Sequence, residues 1–144
     1  MIPTRHILAV SALMVAATAS AQVTLTTSTW VPPTHAVTVT QAEWCNQVTE
    51  ATAGRVRCNA LAKPVTAPPA TFDAVRDGLA DVSFSVHGYT PGRYLLTQIA
   101  ELPFLGDSAE STSVAYQRIH ERHLAKLGEH KGMRVITVFT HTYC

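Results

Sequence analysis

Stretches rich in β-branched residues alternate with stretches of helical spacing along most of this chain, and that alternation restricts the fold more than any other feature. Val23–Trp30 alternates as a strand should and ends at the turn Pro32-Pro33-Thr34. A helix is expected from about Ala36 to Thr52, with Val37, Cys45, Val48 and Ala51 near helical spacing and Gly54 as its stop. Arg55–Ala60 alternates again, and the Pro-rich Lys63–Pro69 must be a loop. Phe72, Val75 and Leu79 place a short helix ahead of a third strand, Asp81–Val86. The loop His87–Arg93 and a connecting segment, Ile99–Leu105, follow. Asp107 or Ser108 then caps a helix running to about Leu127, with Ala115, Tyr116, Ile119, His123 and Leu127 on one face. Met133–Thr140 is a mostly apolar run, as expected of a strand covered on both sides. Helices between strands call for an α/β fold: a helix-covered, largely parallel sheet. With 144 residues, no internal repeat and no heptad pattern, one domain is expected.

The N-terminus reads as a secretory signal over residues 1–21. Arg5 precedes the eleven-residue apolar run Ile7–Ala17, which as a helix spans about 16 Å against a hydrocarbon core of about 30 Å. Ala19-Ser20-Ala21 supplies the small residues that signal peptidase accepts, making Gln22 the new N-terminus. The competing reading is a buried helix at the start of a cytosolic protein. No later stretch approaches membrane-spanning length, so the mature chain is expected to be exported and not to span the membrane. Export makes the three cysteines relevant. Cys45 and Cys58 pair if the first helix packs over the second strand, and otherwise sit as free buried thiols; Cys144 is the last residue.

Composition and motifs exclude several functions. Eleven basic against ten acidic side chains, a formal charge of +1, argue against a nucleic-acid partner. No nucleophile elbow, dinucleotide-binding or P-loop pattern occurs, so neither an enzyme nor a bound cofactor is indicated. His120-Glu121-Arg122-His123 falls short of a zincin helix, because Leu124 stands where the second histidine belongs. A small exported metal-binding domain using His120, His123 and His130 is the rival reading; His123 is expected instead in the apolar face of its helix.

Ligands of open α/β sheets bind beyond the carboxyl ends of the parallel strands. Trp30, His87 with Tyr89, and His141 fall at three such ends, giving ring surface with a few polar tips. Arg93, just beyond, offers a guanidinium fork to a carboxylate. These five are the candidate substrate-binding residues: the two aromatic rings for a carbon skeleton, the histidines and arginine for its polar groups.

Four segments in order, Ser28-Thr29-Trp30-Val31-Pro32-Pro33-Thr34-His35, Arg76–Val82, Gly88–Tyr94 and Glu101-Leu102-Pro103-Phe104-Leu105, give the chain a family likeness. It resembles the DctP-type periplasmic substrate-binding proteins of tripartite ATP-independent (TRAP) transporters from about Val23 to His141. The resemblance implies periplasmic capture of a small organic acid, usually a carboxylate such as a dicarboxylate, between two α/β lobes, and its delivery to membrane permease subunits. It also implies that residues 22–144 are the N-terminal lobe only. The second lobe, which carries the family's carboxylate-pinning arginine, is absent, and Thr142-Tyr143-Cys144 replaces the family's Gly-Pro-Gly-like turn, as in a truncated, frame-shifted or trimmed chain. Weak binding by the single lobe is the corresponding expectation. The intact mass of the exported product should match a chain beginning at Gln22; recovery of the uncleaved chain from cytosol alone would refute the signal reading.

Overall fold

The structure, a computed structural model, describes residues 21–141; the expected signal run and Cys144 lie outside them. Val23–Ser28 forms β1, Ala36–Ala51 α1 and Val56–Ala60 β2, each within a few residues of its sequence pattern. A 3₁₀ turn at Pro68–Ala70 leads into α2, Thr71–Arg76, and then β3, Val82–Ser83. After 3₁₀ turns at His87–Tyr89 and Thr97–Glu101 comes α3, Ala109–Ile119. The strands form one parallel sheet in the order β2-β1-β3. Val23 aligns with Val56 and Thr27 with Ala60 on one side, and Thr27 aligns with Val82 on the other.

Side chains fasten these elements at their ends. The His35 imidazole caps α1 by accepting from Val37 N at 3.2 Å. At the other end Thr52 Oγ1 donates to Val48 O at 2.8 Å and accepts from Val56 N at 3.0 Å, joining the helix exit to β2. The left-handed exit starts one residue before the expected glycine, with Ala53 at φ 49° and Gly54 at φ 76°. Cys45 of α1 is bonded to Cys58 of β2, so the first helix does pack over the second strand. Ser108 caps α3 by accepting from Ser111 N at 3.1 Å.

Three expectations are corrected. β3 has two residues rather than the six of Asp81–Val86. The Asp81 carboxylate takes Thr26 N at 2.7 Å and Thr26 Oγ1 at 2.8 Å where a strand ladder would begin, and Phe84 O accepts from the Trp30 indole at 3.1 Å where it would continue. Met133–Thr140 is not a strand. Val138 N donates to Gln117 Oε1 at 2.8 Å and Thr140 N to Ser113 Oγ at 2.9 Å, so α3 side chains satisfy backbone that a neighbouring strand would have paired. The long helix continues to Leu127 but changes pitch, through a π turn at His120–Leu124 and a 3₁₀ turn at Ala125–Leu127. Its buried line is Thr112, Tyr116 and His120; Ala115, Ile119, His123 and Leu127 are exposed, because Gln117 and Ser113 turn the helix toward the 138–140 backbone.

No helix among the described residues is long and apolar enough to cross a membrane. Replacing both Cys45 and Cys58 by alanine should lower the unfolding free energy by about 3 kcal/mol, as expected for a loop of this length (sequence separation 13), measured by urea titration.

Candidate functional site

Where β1 and β3 end, four rings stand in a row. Trp30 stacks on Phe84 with centroids 5.5 Å apart and planes inclined by 24°, and its indole hydrogen bond to Phe84 O fixes the orientation. Tyr89 leans on Trp30 at 5.6 Å with planes inclined by 56°, and Phe139 stacks on Phe84 at 5.8 Å and 16°. Of the five candidate residues, Trp30 and Tyr89 are thus brought into contact. Tyr89 and Phe139, each 43% exposed, lie at the two ends of the row. The strand-end argument passes over Phe84 and Phe139 because they lie inside the expected strands Asp81–Val86 and Met133–Thr140, short of their last residues. A period-two reading of Asp81–Val86 and Met133–Thr140 toward their carboxyl ends would have found both.

His87 and Arg93 meet a different ring, Tyr94, which is fully buried. His87 lies edge-on to Tyr94 at 5.0 Å, stacks on Phe72 at 5.4 Å, and its Nε2 is 2.8 Å from His130 Nε2. One imidazole of that pair must donate and the other accept. Burial, reinforced by the neighbouring His130 and His120 and opposed by Glu129, pushes His87 down to about 4, and burial also lowers His130. Both rings are therefore neutral at neutral pH.

Arg93 Nη1 binds Asp73 Oδ1 of α2 at 2.7 Å while its guanidinium lies over Tyr94, 5.1 Å from the centroid. The hydrogen bond from Arg93 is the main reason the Asp73 carboxyl sits below its usual range; Arg76, also 2.7 Å away, adds to it. In this arrangement the guanidinium fastens its own loop to α2. His141 is exposed, two residues beyond Phe139.

The histidines of the metal reading separate. His120 is buried with its ring 5.7 Å from that of His130, whereas His123 is exposed rather than packed in an apolar face. Among the described residues, no group of three or more His, Cys, Asp or Glu is arranged to hold a metal ion.

The sheet is an open parallel α/β sheet, the class in which ligands bind beyond the carboxyl ends of the strands, and the ring row stands at those ends. Comparison with solved structures narrows the class. The fold matches a TRAP periplasmic solute-binding protein from Bordetella bronchiseptica, solved with bound (R)- and (S)-mandelate, at TM-score 0.76 and 49% identity, over 81% of this chain and 38% of that one. It matches a TRAP solute-binding protein from Rhodoferax ferrireducens in complex with copurified benzoate at TM-score 0.73 and 30% identity, over 82% of this chain and 37% of that one. A marine metagenome TRAP solute-binding protein specific for aromatic acid ligands, in complex with 3-hydroxybenzoate, matches at TM-score 0.71 and 32% identity, over 83% and 38%. Among curated proteins, the outer membrane transporter protein TsaT of Comamonas testosteroni is 28% identical over 130 residues, 90% of this chain and 38% of that protein. No protein-family model matches the chain. By fold, the chain is a lobe of the kind found in TRAP periplasmic solute-binding proteins, and it spans less than two fifths of the length of these relatives.

The His87–His130 pair sets a pH dependence. Because the folded pKa of His87 lies below its ordinary 6.5, the unfolded chain takes up the proton first as pH falls from 6.5 toward 4. Stability should therefore be full above pH 6.5, decline through that window, and owe further loss to Asp73 and Asp81 only below about 3.8. Urea midpoints measured against pH should show this slope, and His87→Gln should flatten it between pH 6.5 and 4.

Proposed function

We propose that this chain is the N-terminal lobe of an exported, TRAP-type solute-binding protein that captures a small organic acid in the periplasm and passes it to membrane permease subunits. Residues 1–21 serve as the signal peptide, cleaved after Ala21. The observation that carries the reading is the 49% identity, at TM-score 0.76, to a solute-binding protein holding mandelate. The row Tyr89–Trp30–Phe84–Phe139 supports an aromatic carboxylate rather than an aliphatic dicarboxylate, since stacked rings offer flat apolar area to a ring and little to a flexible chain.

In this reading Trp30 and Tyr89 stack on the ligand ring. His87, Arg93 and His141 bind its polar groups, and Arg93 exchanges Asp73 for the ligand carboxylate to do so. A charge-assisted hydrogen bond is worth roughly 1.5–3 kcal/mol, or about one to two decades in affinity, and here much of that gain is offset by the ion pair given up. Binding by this lobe alone is accordingly weak.

Saturation-transfer NMR of the mature chain with benzoate, mandelate and succinate tests the proposal. Benzoate and mandelate should receive saturation through their ring protons, weaker than micromolar in affinity, and Trp30→Ala should abolish the transfer while leaving the thermal midpoint within a few degrees. Equal transfer to succinate, none to any acid, or micromolar and tighter binding would each overturn part of it: the aromatic preference, the ligand class, or the weakness of a single lobe.

A further inference from the structure

β3 ends at Ser83, so no strand ladder holds the stretch of chain that carries Tyr89. Tyr89 ends the 3₁₀ turn His87–Tyr89, which closes on itself through Tyr89 N to Val86 O and Thr90 N to His87 O, both 3.1 Å. Such a turn leaves its leading N–H groups without partners of its own. That of Gly88 donates to Glu101 Oε1 at 3.1 Å, 13 residues further along the chain. Gly88 has no left-handed backbone, unlike Gly92 at φ 81° in the same loop. What it supplies is room. A Cβ at this position would stand 3.0 Å from Glu101 Oε2 and 3.5 Å from Oε1, pressing the carboxylate away from the N–H that it holds.

Glu101 reaches from a fixed base. It ends the 3₁₀ turn Thr97–Glu101, whose start Glu129 holds by accepting from Leu96 N at 2.6 Å and Thr97 N at 3.1 Å. Ala100, one residue before it, packs in the buried cluster with Tyr116 and Val138. Glu101 itself is exposed, so its replacement uncovers no core. The other attachment of the 87–89 turn is the contact between His87 Nε2 and His130 Nε2 at 2.8 Å. Trp30 is held separately, by its indole hydrogen bond to Phe84 O. The angle at which Tyr89 meets Trp30 therefore follows from the backbone of the turn, and the turn from attachments at two adjacent residues.

We propose that Glu101 is a positioning residue of the ligand site: by holding the Gly88 N–H it fixes the 87–89 turn and, through it, the Tyr89 ring against Trp30. Gly88 is its counterpart, needed because the missing side chain lets the carboxylate in. Glu101 acts through an acceptor oxygen, so glutamine serves in its place and alanine does not. Its effect on affinity rests on the reading of Trp30 and Tyr89 as the surface that receives the ligand ring; the positioning itself exists without ligand.

The test compares Glu101→Gln, Glu101→Ala, Gly88→Ala and the double variant Glu101→Ala with Gly88→Ala, each in the oxidised mature chain. Two readouts are taken: the NOE between the Tyr89 and Trp30 rings without ligand, and benzoate affinity from a saturation-transfer titration. Glu101→Ala and Gly88→Ala should each weaken the NOE and lower affinity roughly three- to fivefold, the worth of one hydrogen bond. Glu101→Gln should keep the NOE and stay within about twofold in affinity. The double variant should be no worse than Glu101→Ala alone, because the added methyl group then has no carboxylate to displace. An unchanged NOE in Glu101→Ala overturns the proposal. Losses that add in the double variant show that Gly88 serves the turn by itself, and an equal loss in Glu101→Gln assigns the effect to charge; each is contrary to the proposal. Should Glu101→Ala fail to fold, Gly88→Ala against Glu101→Gln reads the same bond, and an NOE retained in Gly88→Ala overturns it. Failure of the parent chain to bind benzoate counts against the ligand reading alone, and the NOE then decides the positioning.

Discussion

A parallel strand pair needs a crossover of a dozen or more residues, and here one leads from β1 to β2 and the next carries the chain past β1 to β3. β1 is the one strand in the sheet with partners on both edges, and each partner is additionally pinned by side chains. On one side the Cys45–Cys58 bond and Thr52 tie α1 and β2 into a unit. On the other, the Asp81 carboxylate grips Thr26, while Ser83 Oγ donates to Ser28 O at 2.7 Å. The hydrogen bonds from Thr26 in turn hold the Asp81 carboxyl below its ordinary range, so the clamp is ionised at neutral pH. Trp30 leaves β1 directly after these contacts. Its position, and that of the ring row built on it, follows from where the central strand is held.

The interior beside the sheet is organised differently, around rings that carry polar atoms. Phe72, Tyr94 and the His87–His130 pair form a packed cluster of rings. Two neutral imidazoles satisfy each other in a place where a charged one would be expensive. That arrangement joins the loop after β3 to the loop after the long helix. Tyr89, two residues from His87, is thereby linked to the same inner cluster that buries Tyr94. Glu129 completes the connection, accepting from Leu96 N at 2.6 Å and Thr97 N at 3.1 Å at the start of the 3₁₀ turn.

What was legible in the sequence was local. β1, α1 and β2 follow from alternation, helical spacing and a stop glycine, all readable within a dozen residues. That Trp30 and Tyr89 come close is legible too, because both fall at expected strand ends. The failures are all long-range. β3 is shortened by an aspartate reaching a threonine 55 residues away, and the 133–140 run loses strand character to Gln117 and Ser113, 21 and 27 residues back. The pairing of His87 with His130 is likewise illegible locally, because its partner lies 43 residues on. The buried face of α3 was misassigned for a related reason: the backbone it serves decides its rotation, and helical spacing of apolar residues carries no record of that.

These replacements share a physical cause. Apolar burial is modest here: Ala100, Tyr116 and Val138 form the buried cluster, with Leu124 and Val135 packed against it. Large apolar side chains remain exposed along one segment, Leu95 at 66%, Ile99 at 55% and Phe104 at 96%, the last on a backbone with φ 63° that a phenylalanine adopts only under constraint. Where side-chain packing does not fix the position of a segment, individual hydrogen bonds do, each contributing about 1 kcal/mol. Gln117, Ser113, Asp81 and Glu129 act in that way, holding backbone that apolar packing leaves undetermined. The 540 Å³ cavity is the complementary sign, a space between the free edge of β3 and the 133–139 run that side chains on both sides leave unfilled. The same feature, scarce apolar packing around this edge of the sheet, thus accounts for the reliance on polar clamps and for the position of the unfilled space.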